Sequence, residues 1–229
     1  SVPSGDGRRL AGHTDDVTDV AFHPKDRRIA TSSRDGSVRI WRIDGSVERI
    51  LRSIDDEVWS VTFSPDGSSL AAAVADGTIR VWDLKRGGPA KVFRNVGEAR
   101  RARFSPDGVF IAVATSGHDL YLCRQAFDFC DRLSGHGAMV QDLVFTPDSA
   151  ALVTGSGDST VRVYDVETNE SRVYRGHAAP VFDVDVSPDG RWIASASADA
   201  DIRLWPLELP PSPERLTSWL TYRTRKVVE

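Results

Sequence analysis

The chain has 229 residues, 40% of them apolar and 27% charged, with 18 Gly and 12 Pro. Folding can bury roughly 70% of the surface such a chain exposes when unfolded, and the composition excludes a wholly disordered or collagen-like polypeptide. A formal net charge of −4 offers no basic field for nucleic acid or an anionic membrane, so neither is expected as a partner.

No apolar run approaches the ~18 residues of a membrane-spanning helix. The opening Ser-Val-Pro-Ser-Gly-Asp-Gly-Arg-Arg also lacks the apolar stretch of a signal peptide. The only cysteines are Cys123 and Cys130. A disulfide scaffold is therefore not expected, and a reducing cytoplasm is the default compartment. The single methionine is Met139, so the chain reads as an excised or processed piece of something longer.

Self-similarity at a period of 41 residues organises everything else. Pro24, Pro65, Pro106, Pro147 and Pro188 stand in one column, and Trp41, Trp82, Cys123, Tyr164 and Trp205 in another. A third holds Asp35, Asp76, Gly117, Asp158 and Asp199, and a fourth holds His13, Ile54, Asn95, His136 and His177. The copies span approximately 10–43, 51–84, 92–125, 133–166 and 174–207, with no insertion between them.

In chain order, Gly7–Leu10 reads as a lone outer strand ahead of the first copy. Within that copy, strands are predicted near Val17–Phe22, Arg28–Ser33, Val38–Ile43 and Glu48–Leu51, separated by turns rich in Pro, Asp and Gly. The other copies repeat this plan, and four short antiparallel strands per ~40 residues describe a propeller blade. A flat open sheet of twenty strands is disfavoured by twist and by its exposed edges. Cys123 stands on an apolar strand and reads as a small core residue.

The fifth copy ends at Trp205–Leu207 and is followed by the Pro-rich stretch Glu208–Pro213. Ser212, Pro213 and Glu214 then form a helix-start signal. Leu216, Trp219, Leu220 and Val227 fall near one helical face, with Arg223, Arg225 and Lys226 toward its end. This helix is expected either to pack on the propeller's side or to dock another domain.

The first strand of each copy breaks its own alternation. Val17, Val20 and Phe22 are spaced three then two, as are Val58, Val61 and Phe63 and their counterparts. One extra residue in a strand predicts a bulge that re-aims a side chain, here Thr18, Trp59, Arg100, Gln141 and Phe182.

These features resemble the WD-repeat (WD40) β-propeller family, through Gly-His at 12–13, 135–136 and 176–177, Ser-Pro-Asp-Gly at 64–67 and Trp-Asp at 82–83. The resemblance covers roughly residues 7–207. It implies an all-β propeller of 41-residue, four-stranded blades over 1–207, followed by a short C-terminal helix within 208–229. It also implies a buried hydrogen-bond network of a His, a Ser or Thr, an Asp and a Trp in each complete blade.

The first copy supplies His13, Thr31 or Ser33, Asp35 and Trp41, and the fifth supplies His177, Ser195 or Ser197, Asp199 and Trp205. The fourth has His136, Thr154 or Ser156 and Asp158, with Tyr164 for Trp and still a polar hydrogen to offer. The second keeps Asp76 and Trp82 but has Ile54 for His, and the third has lost three members, so these two blades are expected to be less rigid. Three similar His–Asp pairs without a common nucleophile read as structural rather than catalytic. Histidine spacing suits no zinc site, and no glycine-rich phosphate loop is present. No catalytic residue, metal or cofactor is expected.

By the same resemblance, the bulge column rings the central channel on one face. Beside it stand a second column, Asp16, Glu57, Glu98, Met139 and Pro180, and a third, Arg34, Ala75, Ser116, Gly157 and Ala198. Trp59 beside Glu57 and Glu98, with Phe182 across the channel, suits an Arg- or Lys-bearing peptide. Ordinary packing of Trp59 and Phe182 between blades is the alternative.

The function expected is a non-enzymatic protein-interaction scaffold. The alternative is a sensory or regulatory module of a larger signalling protein carrying a kinase or nucleotide-hydrolysing domain. For closure, three arrangements stand: a ring of five blades sealed by the N-terminal strand, a fragment whose upstream blades belong to the parent protein, and a self-associating partial propeller.

Overall fold

A computed structural model describes residues 7, 9–52, 56–94, 96–126 and 129–207, and in it the sequence period becomes five consecutive antiparallel sheets. Blade one comprises β1 (Val17–Phe22), β2 (Arg28–Ser33), β3 (Ser37–Arg42) and β4 (Val47–Arg52). Blade two comprises β5 (Val58–Phe63), β6 (Ser69–Val74), β7 (Thr78–Asp83) and β8 (Lys91–Phe93). Blade three comprises β9 (Ala99–Phe104), β10 (Phe110–Thr115), β11 (Leu120–Arg124) and β12 (Cys130–Leu133). Blade four comprises β13 (Val140–Phe145), β14 (Ala151–Ser156), β15 (Thr160–Asp165) and β16 (Ser171–Arg175). Blade five has β17 (Val181–Val186), β18 (Trp192–Ser197) and β19 (Ile202–Pro206). The helix expected within 208–229 lies outside the described residues.

The turns explain why the strands stop where they do. In Ser-Pro-Asp-Gly, Ser64 Oγ donates to Asp66 at 2.7 Å and the Ser68 amide donates to the same carboxylate at 2.9 Å. Gly67 closes the reversal at φ 73°, a backbone conformation that costs a glycine little.

The core lies between blades rather than within them. Val58, Val61 and Phe63 of β5 pack on Ala30, Val38 and Ile40 of blade one. The same three columns fill the next three layers, ending with Val181, Val184 and Val186 against Val153, Val161 and Val163. Full burial of each large apolar side chain contributes about 1.5–3 kcal/mol, so every interior blade is held by both neighbours. Innermost strands β1, β5, β9, β13 and β17 touch in succession and line the inside of the arc.

At the ends, Val17, Val20 and Phe22 of the first blade are exposed, as are Ile202 and Leu204 of the last, so among the described residues the first and last blades do not meet. One expectation changes there: Gly7, Arg9 and Leu10 carry no strand.

Blade three holds another correction. Cys123 is buried in the core as expected, but it is bonded to Cys130. Antiparallel pairing of β11 with β12 sets the two residues directly opposite each other in the ladder. A covalent link thus joins two strands of the blade that lacks the polar network.

Candidate partner-binding face

The first strand of every blade is bulged where the broken alternation requires it. Register shifts fall at Val17/Asp19, Val58/Ser60, Val140/Asp142 and Val181/Asp183, and opposite Ala99 in blade three. Thr18, Trp59, Arg100, Gln141 and Phe182 are therefore the skipped residues. One backbone hydrogen bond per blade draws the other two columns together: the amides of Arg34, Ala75, Ser116, Gly157 and Ala198 donate at 2.9 Å to the carbonyls of Asp16, Glu57, Glu98, Met139 and Pro180. All three columns thus gather at the same end of each blade.

Side chains divide this end into two halves. On blades one to three, Trp59 lies between two guanidinium groups, Arg100 at 3.7 Å and Arg34 at 5.0 Å from the ring centroid. The cation positions over the indole, left to a partner by the sequence reading, are held by the chain's own arginines. Those arginines also engage the acids: Arg34 with Asp16 at 3.3 Å and Glu57 at 4.0 Å, Arg100 with Glu98 at 2.8 Å. The Trp59 indole N–H is buried and has no acceptor among the described residues. Thr18 is drawn into the blade interface, donating to the Val58 carbonyl at 2.5 Å and bonding Ser32 at 2.8 Å. On blades four and five the same face is apolar, with Met139 39% and Phe182 54% exposed beside Gln141.

The polar networks sit behind this face. His13 Nδ1 bonds Asp35 at 2.9 Å and its Nε2 bonds Thr31 at 2.7 Å, while the Trp41 indole donates to Thr31 at 2.8 Å. His177, Asp199, Ser195 and Trp205 repeat this arrangement. In each case the first of the two hydroxyl candidates is used. Ser33 and Ser197 instead accept the amides of Asp35 and Asp199.

In blade four, His136 joins Asp158 at 2.9 Å and Thr154 at 2.8 Å. Tyr164 does not take the Trp role: its hydroxyl is buried without a hydrogen bond among the described residues, and burial pushes its pKa up to about 12. In blade two, where Ile54 stands for His, Asp76 accepts from the Thr78 amide and hydroxyl and from Arg80, and Trp82 is buried.

Hydrogen bonds from Thr160, the Gly137 amide and His136 overcome burial to hold the Asp158 carboxyl at about 2. Burial, partly opposed by Asp158, lowers the His136 pKa and favours the neutral ring. Both nitrogens of all three network histidines are engaged, which is an arrangement for rigidity rather than proton transfer.

A fourth column escaped the sequence reading because it lies one residue past the bulge. Asp19 accepts from Ser60 Oγ at 2.9 Å and the Val61 amide at 3.1 Å. Asp142 accepts from Arg101 at 2.8 Å and the Val184 amide at 3.4 Å. Each belongs to one blade and reaches the first strand of the next. Burial and a hydrogen bond shared with Asp183 push the Asp142 carboxyl up to about 6, against the pull of Arg101. The sequence signal was present: Asp19, Ser60, Arg101, Asp142 and Asp183 share one 41-residue phase.

Among the described residues, no group of three or more His, Cys, Asp or Glu side chains could hold a metal ion, and no helix is long and apolar enough to cross a membrane. No curated protein matches the chain. Residues 7–209, spanning all five blades, match the family model described as the IFT122 first beta-propeller, and the chain belongs to that family.

Proposed function

We propose that this chain is a non-enzymatic interaction scaffold that takes a peptide or protein on the end where the bulged columns gather. β-Propeller domains generally serve as protein-interaction scaffolds, and recognition asks nothing more of this site than shape and charge. The observation that carries the reading is the exposure of Phe182 and Met139, large apolar side chains beside a charged cluster set rigidly around Trp59. Hot spots favour such aromatic anchors with a polar surround. A basic side chain of the partner would reach the outer oxygens of Asp16 and Glu57, and an apolar one would cover Phe182.

Selection of peptides from a random displayed library against the chain tests this. Enriched peptides should combine Arg or Lys with an apolar residue. Phe182→Ala and Trp59→Ala should each weaken them by about 2 kcal/mol or more, roughly thirtyfold. Peptides that bind both variants with parental affinity would remove the site from this face.

A further inference from the structure

We propose that the Cys123–Cys130 bond is a reversible redox switch, opened and closed by thiol exchange at Cys130, that sets how firmly the outer strand of blade three is held. The inference is independent of what binds the channel-end face.

Position makes the two sulfurs unequal. Cys123 stands on β11 and is 0% exposed, in the core layer between blades two and three with Phe93, Phe104 and Ile111. Cys130 opens β12, the outermost strand of its sheet, and is only partly buried against that layer. Its neighbour Phe129 is 54% exposed. The bond therefore runs from a core strand out to a surface strand. A thiolate attacks a disulfide in line with the bond, so Cys130 is approached from the solvent side, whereas an attack on Cys123 would have to come through packed side chains.

Exchange at Cys130 balances in both directions. One thiolate of a dithiol reductant bonds to Cys130 Sγ, the bond to Cys123 breaks, and its electron pair leaves on Cys123 Sγ, which takes up a proton. The second thiol of the reductant then displaces Cys130 and leaves as a cyclic disulfide. The protein has gained two electrons and two protons. In reverse, the Cys130 thiolate attacks glutathione disulfide and releases one glutathione. Cys123 then attacks the mixed disulfide and releases the other, so the buried cysteine is the resolving one.

What the bond holds is local. The pairing of β12 with β11 runs from Cys130 opposite Cys123 to Leu133 opposite Leu120. Leu133 is buried with Val140 and Leu143 of blade four, and Arg132 donates to Asp119 at 2.9 Å between the two ends. The end at Cys130 is tied by the disulfide. Cys123 occupies the column from which the Trp41 and Trp205 indoles donate to the networks of blades one and five. Blade three thus carries a bond that reductant can open where those blades carry hydrogen bonds that it cannot. Reduction frees β12 from Cys130 inward, while Leu133 keeps the far end seated.

Treatment of the oxidised chain with dithiothreitol in mildly alkaline buffer without denaturant, followed by alkylation, mass spectrometry and hydrogen exchange, tests the switch. The bond should open at a rate that does not change with urea below the unfolding transition, and Cys130 should be alkylated before Cys123. Exchange over Cys130–Leu133 should rise about tenfold or more, with blades one and five unchanged, and glutathione disulfide should restore the bond and the protection. Cys123→Ser should take up one glutathione at Cys130, and Cys130→Ser should react at Cys123 about tenfold more slowly or less. A reduction rate that climbs with urea in step with unfolding overturns the proposal, because the bond is then reached only in the unfolded chain and is a permanent staple. First alkylation at Cys123 overturns the entry through Cys130. Unchanged exchange over β12 after reduction overturns the control of that strand. All three readouts come from the parent chain, so they stand whether or not the serine variants fold.

Discussion

Removing Asp158 tests whether the polar networks set the stability of their blades. Its carboxylate accepts from His136 Nδ1 at 2.9 Å, the Gly137 amide at 2.9 Å, the Thr160 amide at 3.0 Å and Thr160 Oγ1 at 2.6 Å. Asp158→Ala strands all four donors, and the His136 side chain is only 1% exposed. Hydrogen bonds to a charged group are worth about 1.5–3 kcal/mol each, but water can reach part of this site, so the losses do not sum. Leaving a buried donor without its partner costs about 1–3 kcal/mol, and the upper end, about 3 kcal/mol, applies here because the neutral His136 ring is almost wholly buried.

For a chain of this size that corresponds to a fall in Tm of roughly 6–12 °C. Asp76→Ala in blade two removes bonds from Thr78 and Arg80 but strands no histidine, and should cost about 1 kcal/mol. Urea unfolding gives the totals. Hydrogen exchange read blade by blade should place the Asp158→Ala loss in blade four and its neighbours, since repeat arrays open by neighbouring units.

A pH series adds a second arm. A carboxyl held at about 2 contributes stability that is complete above its unfolded value near 3.8 and is lost as pH falls toward 2. His136, also lowered, adds a contribution complete above about 6.5 and lost below it. Asp158→Ala should remove its own share of the acid window and leave that of Asp35 and Asp199, whose carboxyls are also lowered. If it costs no more than Asp76→Ala, or exchange rises evenly in all blades, the networks are not what holds these blades.

Three further outcomes follow from other parts of the arc. Cys130→Ser opens a link between residues seven apart and should cost roughly 2.5 kcal/mol by loop-closure entropy, with exchange rising in blade three; an unchanged urea midpoint after reduction would refute it. Asp142 takes its proton more readily folded than unfolded, so its charge costs stability as pH rises from about 4 to about 6. Asp142→Asn should therefore gain on the parent above pH 6 and not below pH 4, and parallel urea-midpoint curves would count against the carboxyl pair with Asp183. Ala200 holds φ 68° at the turn position that Gly36 and Gly77 occupy in blades one and two, so Ala200→Gly should raise stability by about 0.5–1 kcal/mol, and a fall in Tm would contradict the strain.

What the sequence made legible was whatever repeats in phase. Val17–Phe22 and Arg28–Ser33 are the strands expected, the bulges fall where the spacing breaks, and the His–Thr–Asp–Trp sets assemble. What stayed hidden depends on which residue of one copy meets which residue of another. Arg34 from blade one and Arg100 from blade three meet over the Trp59 of blade two, although their columns differ. Cys123 and Cys130 meet because the register of β11 on β12 sets them face to face, which no count of cysteines reveals. Tyr164 has a hydroxyl to offer but does not reach the threonine that the Trp41 indole reaches in its own blade. Phe22 and Phe63 mark the limit most sharply, being the same residue in the same column with opposite fates, one exposed and one buried. The sequence fixes what such a side chain is shaped to pack against, and the neighbour decides whether it does.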